Sequence, residues 1–179
     1  MKLALTLHEI TQKDRPRVGG KGFALAAMHQ SGMAVPEAIC ISTEAYQEYV
    51  SSTDLLAQVH MELFRKSFEE MRWEEIWDTA LRIRNLCAKT PMPGGLQQEM
   101  KALLAPRFSK KPVSVRSSAP GEDAAKTSFA GLHESFVNIQ GLESILEHIR
   151  LVWASLWSDR ALLYRQELGL DVEKSTMAV

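Results

Sequence analysis

Leu142, Ile145, Leu146, Ile149, Val152, Trp153, Leu156, Trp157 and Leu163 recur at helical spacing through one stretch of the chain. An apolar stripe of that length has to be buried against another element. The spacing predicts one long helix over residues 142–167, stopped at Gly169. Trp153 and Trp157, four apart, could stack on a ligand, but a core stripe is the favoured use.

The rest of the chain alternates between pattern types. Leu3, Leu5 and Leu7 alternate with Lys2, Ala4 and Thr6, which reads as an opening strand. A polar connection, TQKDRPR, leads into Val18-Gly19-Gly20-Lys21-Gly22, and residues 23–30 read as a helix with Leu25 and Met28 on one face and Gly32 as its stop. Ala38 to Ile41 reads as a short buried strand, after which Ser42 or Thr43 caps a helix carrying Tyr46, Tyr49 and Val50. A helical subregion is predicted over about 54–105. Its first helix, 54–70, has Leu55, Leu56, Val59, Leu63 and Phe64 on one stripe; its second, 73–89, has Ile76, Trp77, Ala80, Leu81 and Leu86. Pro91, Pro93, Gly94 and Gly95 close that region, a short helix follows over 96–104, and Thr176-Met177-Ala178-Val179 reads as a strand just beginning. This order of strands and helices predicts an α+β or α/β lobe.

Composition narrows the function classes. At 179 residues the chain fits one domain or two small lobes, and a net charge of −1 offers no basic surplus for gripping nucleic acid. No run approaches the roughly 20 apolar residues that span a bilayer, and the opening MKLALTLHEI is too short for a signal peptide's apolar core. Cys40 and Cys87 lack metal-ligand spacing and sit in apolar surroundings, so they are read as buried thiols in a reducing, cytoplasmic compartment. Glu69, Glu70, Glu74, Glu75 and Asp78 alternate at helical spacing with Arg72, Arg82 and Arg84, the pattern of a solvated face more than of a metal site.

The chemistry-bearing residues concentrate in VSVRSSAPGEDAAKTSFAGLHESFVN, residues 113–138. A β-branched run delivers Arg116, Ser117 and Ser118 to a turn, and SFAGLHESFV brings the chain back toward a second strand through Phe136, Val137 and Ile139. A guanidinium, several hydroxyls and the bare backbone around Gly131 all donate hydrogen bonds, which suits an anion such as phosphate. An ordinary hairpin with a surface arginine accounts for the same residues. The glycines around Lys21, placed just before a helix, are a second candidate anion site, with a flexible turn as the plainer reading; they match neither the GxxxxGK[ST] loop nor GxGxxG.

Taken together, VGGKGFALAAMHQSGMAVPEAICISTEAY, VSVRSSAPGEDAAKTSFAGLHESFVNI and LVWASLWSDRALLYR resemble, in order and spacing, the N-terminal nucleotide-binding domain of the phosphoenolpyruvate synthase, pyruvate phosphate dikinase and rifampin phosphotransferase family. The resemblance implies the first lobe of an ATP-grasp domain over residues 1–179, with the second lobe absent from this sequence. It implies that Lys21 and Arg116 contact ATP phosphates, that the SFAG turn covers them, and that Gly131 and Ser135 make nucleotide contacts, Ser135 standing where the family often has threonine. Magnesium ligands are expected on the second lobe. The phosphate acceptor is expected to be a carrier histidine on a separate domain, since none of His8, His29, His60, His133 or His148 sits in a TSGGxTCH-like context. No catalytic residue is assigned on this chain, and a stand-alone nucleotide-sensing module is the alternative.

Overall fold

The computed structural model describes residues 2–120, 131–169 and 175–179. Its strands are β1 (Ala4–Thr6), β2 (Ile39–Ile41), β3 (Val113–Arg116) and β4 (Ser135–Ile139). Its helices are α1 (Arg15–Gln30), α2 (Thr43–Ser51), α3 (Leu55–Leu63), α4 (Trp73–Lys89), α5 (Gly94–Phe108), α6 (Leu142–Ala154) and α7 (Asp159–Glu167). The α+β class expected from the sequence holds.

β1 pairs antiparallel with β2, Leu5 opposite Cys40, and β3 pairs antiparallel with β4, Arg116 opposite Ser135. The C-terminal segment bridges these two strand pairs. Val179 exchanges both backbone hydrogen bonds with Ile41, at 2.9 and 2.7 Å, while Ala178 exchanges both with Ser118, at 3.2 and 2.8 Å. Successive residues of a strand point their peptide groups to opposite sides, so one short segment can serve two neighbours. Where a strand was expected to begin at Thr176, Ala178 and Val179 bridge the two strand pairs, with Ala178 in an isolated β-bridge to Ser118.

Each sheet face has its own apolar layer. Leu5, Leu7 and Cys40 pack with Val18 and Ala26 of α1. Ala4, Ile41 and Val115 pack on the other side with α2 to α6, in a layer centred on Trp153, Trp157, Tyr49 and Ile83. Burial of each large aliphatic side chain among them contributes about 1.5–3 kcal/mol. Trp153 stacks on Tyr49, with ring centroids 5.2 Å apart, and meets Tyr46 edge-on at 5.9 Å. Both tryptophans of the stripe are thus core residues. The Tyr49 hydroxyl donates to the carbonyls of Cys87 and Thr90 at 2.8 and 2.9 Å, and Arg150 donates to those of Ala88 and Thr90. These sequence-distant donors satisfy carbonyls that the end of α4 would otherwise leave unpaired.

Several expectations need correction. The stretch over 142–167 is two helices, because α6 tightens into a single 3-10 turn at Ser155–Trp157 and Ser158 then accepts the Ala161 N–H as the cap of α7. The TQKDRPR connection is itself a 3-10 turn, Gln12–Asp14, followed by the first turn of α1 with Pro16 near its start. α3 ends at Leu63, leaving Phe64 66% exposed, and Phe68–Glu70 forms a separate turn. α4 has the expected bounds, but its buried stripe is Ile76, Thr79, Ala80, Ile83 and Cys87, while Trp77 and Leu81 are 53% and 40% exposed. The buried stripe is thus shifted around the helix from the expected one, and α4 turns it toward α3 and α6. α5 runs from Gly94 through Pro106 to Phe108, longer than expected, since Pro93 precedes its first turn and Pro106 removes only one late N–H.

Cys40 and Cys87 are free, buried thiols that burial pushes up to about 11 and about 12. Two carboxylates of the second helical face are engaged in ion pairs, Glu75 with Lys66 at 2.9 Å and Asp78 with Arg82. Among the described residues no helix is long and apolar enough to cross a membrane.

Candidate functional site

The two glycine- and serine-bearing stretches, about a hundred residues apart, lock together in the structure. Gly19 breaks the helical path of α1 with φ 71°, ψ 176°, a conformation open to glycine and strained for other residues. The kink sets the backbone of Gly19 against that of Ser118 so closely that a β-carbon there would lie 2.2 Å from the Ser118 carbonyl oxygen. The Ser118 hydroxyl donates to the Val18 carbonyl at 2.7 Å and accepts from the Gly22 N–H at 3.0 Å. One buried hydroxyl therefore ties both sides of the kink to the end of β3.

That tie positions Lys21. Its Nζ donates to the Ser117 carbonyl at 3.3 Å. Val115 of β3 is buried toward the large helical layer, so its neighbour Arg116 faces the opposite side, the one Ser118 shares with α1. Arg116 is exposed there, directly across the hairpin from exposed Ser135. Lys21 is thus held at Ser117, the residue after Arg116, and Arg116 stands opposite Ser135, by pairings that bring together residues remote in sequence.

Gly131 is exposed with φ 76°, leaving its backbone uncovered by any side chain of its own. Ser128, Ala130 and the rest of the expected cover, together with Gly121, lie outside the described residues. The returning segment is anchored where it re-enters: Ser158 donates to the Leu132 carbonyl at 3.4 Å, His133 Nδ1–H donates to the Ser155 carbonyl at 3.4 Å, and Arg84 pairs with Glu134 at 2.8 Å.

The local field is positive. Burial holds His133 down at about 4, with the Arg165 and Lys21 cations adding to the effect, so the imidazole is neutral near pH 7 beside two fixed charges. Burial likewise lowers Arg165 to about 10, and its guanidinium donates to the Leu156 carbonyl at 2.5 Å. Chemically, the arrangement can hold an anion, offering an ammonium, a guanidinium fork, a hydroxyl and open backbone. Sequence reasoning missed Ser118 as the tie and Arg165 as a buried cation. The VRSS run contained the first without distinguishing its two hydroxyls, and the second is hidden on a helix that the pattern runs together with α6.

Residues 15–179 match the family described as pyruvate phosphate dikinase, AMP/ATP-binding domain. The chain is 35% identical over 183 residues to a phosphoenolpyruvate synthase of Aeropyrum pernix, an alignment covering 99% of this chain and 22% of that protein. It is 33% identical over 178 residues to a rifampicin phosphotransferase of Bacillus subtilis, covering 99% of this chain and 20% of the relative. A probable phosphoenolpyruvate synthase of Methanothermobacter thermautotrophicus is 32% identical over 184 residues, covering 100% of this chain and 27% of that protein. The chain spans about a fifth to a quarter of the length of these curated relatives. By the extent of the family match, it belongs to the pyruvate phosphate dikinase AMP/ATP-binding domain family.

Proposed function

We propose that this chain is the lobe of an ATP-grasp nucleotide site that holds the phosphates of ATP for transfer to a carrier histidine on another domain of a phosphoenolpyruvate synthase-like phosphotransferase. The observation that carries this reading is the docking of the glycine turn on Ser118, with Lys21 at the carbonyl of Ser117, next to Arg116, whose strand partner is Ser135. Family membership supports a nucleotide as the anion.

In this proposal Lys21 supplies a compact point charge to the phosphates and Arg116 a planar fork able to grip two oxygens at once. Gly131 and Ser135 donate from backbone and hydroxyl at the edge of the same face. Phosphoryl transfer asks of a protein mainly positioning and neutralisation of charge, and these groups provide both. Magnesium's acidic ligands belong to a second lobe, and the final acceptor is recognised elsewhere. A reducing, cytoplasmic setting fits the two buried, free thiols.

Calorimetric titration with ATP and magnesium tests the reading. The chain alone is expected to bind weakly, and Lys21→Ala and Arg116→Ala are each expected to weaken binding at least about tenfold, as loss of a charge-assisted phosphate contact does. Binding by both variants equal to that of the parent chain would overturn it.

A further inference from the structure

Helix α4 carries an exposed apolar row beside its buried stripe. Trp73, Trp77 and Leu81 stand four residues apart and so line up along the helix, and they are 70%, 53% and 40% exposed. The buried stripe packs against α3, α6 and α7 and leaves this row outside. Together the three side chains leave on the order of 350 Å² of apolar surface uncovered, a patch of the size that marks an interaction site on a small protein. Arg84, ion-paired with Glu134 at 2.8 Å, continues the row toward the end of the helix.

Charge is segregated along the same helix. Glu74, Glu75 and Asp78 fall in its first half, and Arg82, Arg84 and Lys89 in its second. Within one copy Asp78 already pairs with Arg82, and Arg84 with Glu134. Glu74 and Lys89, both exposed, have no ion partner among the described residues. A face with an apolar centre, an acidic end and a basic end complements itself when turned end for end. An anionic lipid surface, by contrast, would meet the carboxylates that flank both indoles.

We propose that this face of α4 docks on the same face of a second copy of the chain, the two helices running antiparallel about a two-fold axis. Such a contact is isologous, so one self-complementary patch is enough to build it. The antiparallel arrangement sets the acidic half of each helix over the basic half of the other and opposes their macrodipoles, whereas a parallel one sets like charges together. The register follows from the charges: Asp78 opposite Arg84, and Glu74 opposite Ala88 and beside Lys89, put the axis at Leu81. Leu81 then meets its own copy, and Trp77 lies alongside Asn85 and Arg84 of the second copy, where its ring can take the guanidinium on its face. Two such patches form the apolar centre of an interface of about 800 Å² per copy, the size of a specific contact. This inference stands independently of the nucleotide reading.

Sedimentation equilibrium of the 179-residue protein tests the proposal. A monomer–dimer equilibrium is expected, with a Kd on the order of 10 µM. Trp77→Glu should raise that constant at least about thirtyfold, as loss of a central aromatic contact does, while the urea midpoint changes little because the side chain is more than half exposed. Glu74→Lys sets like charges against Lys89 of the second copy and should weaken the dimer, and adding Lys89→Glu should restore it. Leu81→Cys, at the axis, should form an interchain disulfide under mild oxidation, whereas Met61→Cys, at a position 71% exposed on α3, should not; Cys40 and Cys87 are buried and do not compete. A parent protein monomeric at every concentration, or a dimer that Trp77→Glu and Glu74→Lys both leave unchanged, would overturn the proposal.

Discussion

The backbone of Gly19 lies against the carbonyl of Ser118 with no room for a side chain: a β-carbon on Gly19 would approach that oxygen to 2.2 Å. The contact holds the turn bearing Lys21 against the strand bearing Arg116. Gly19→Ala combines this clash with φ 71°, and it is expected to destabilise the fold by about 3 kcal/mol or more, the range of overpacking plus backbone strain. Urea denaturation checks the prediction, and a midpoint unchanged from the parent would refute it.

Ser118→Ala removes a buried hydroxyl that serves the Val18 carbonyl and the Gly22 N–H at once. Leaving both groups without that partner is expected to lower stability by about 2 kcal/mol. Because the tie also seats Lys21, ATP affinity should fall although neither charged residue has changed. Stability and titration measured on the same preparation separate the two effects, and a variant that loses stability but binds ATP normally would show that the tie is structural only.

Tyr49→Phe keeps the stacking on Trp153 and deletes the hydroxyl bonded to the Cys87 and Thr90 carbonyls. The loss is expected to be about 1–2 kcal/mol, and Arg150, which shares the Thr90 carbonyl, limits it. A double-mutant cycle with Arg150→Met should give a non-zero coupling between the two positions.

His133 carries a pH signature. Its folded-state value of about 4 lies below the ordinary 6.5, so between those values the unfolded chain binds more protons than the folded one. Its stabilising contribution is fully present above pH 6.5 and is lost as pH falls through the window toward 4, amounting to about 3 kcal/mol at most. His133→Gln should flatten the dependence of the urea midpoint between pH 6.5 and 4.5. Glu9 and Glu75, both held at about 2 by hydrogen bonds and cations, act in the same direction but at lower pH. An equally steep dependence in the variant would assign the effect to another group.

Local pattern determined much of this protein. The alternation at Leu3 to Leu7 and the Ala38 to Ile41 run are strands, and the α4 bounds, the Ser42 cap position and the stops at Gly32 and Gly169 all stand where periodicity and turn chemistry put them. Those signals act over a few residues, so a sequence carries them directly. Which face of α4 is buried was decided by the helices packed against it, which cover Thr79 and Cys87 and leave Trp77 and Leu81 outside. The break between α6 and α7 was written at Ser158, but the unbroken apolar stripe outweighed one hydroxyl.

The candidate site divides in the same way. The sequence by itself supplied the residue types suited to an anion, a lysine among glycines and an arginine before two serines. Only the tertiary structure decided that Gly19 and Ser118 meet, that Lys21 reaches the Ser117 carbonyl beside Arg116, and that the last residues bridge the two strand pairs. The first two link segments roughly a hundred residues apart, and the third links segments remote in sequence as well. The packing of the whole chain selects them, and no short-range pattern encodes that selection.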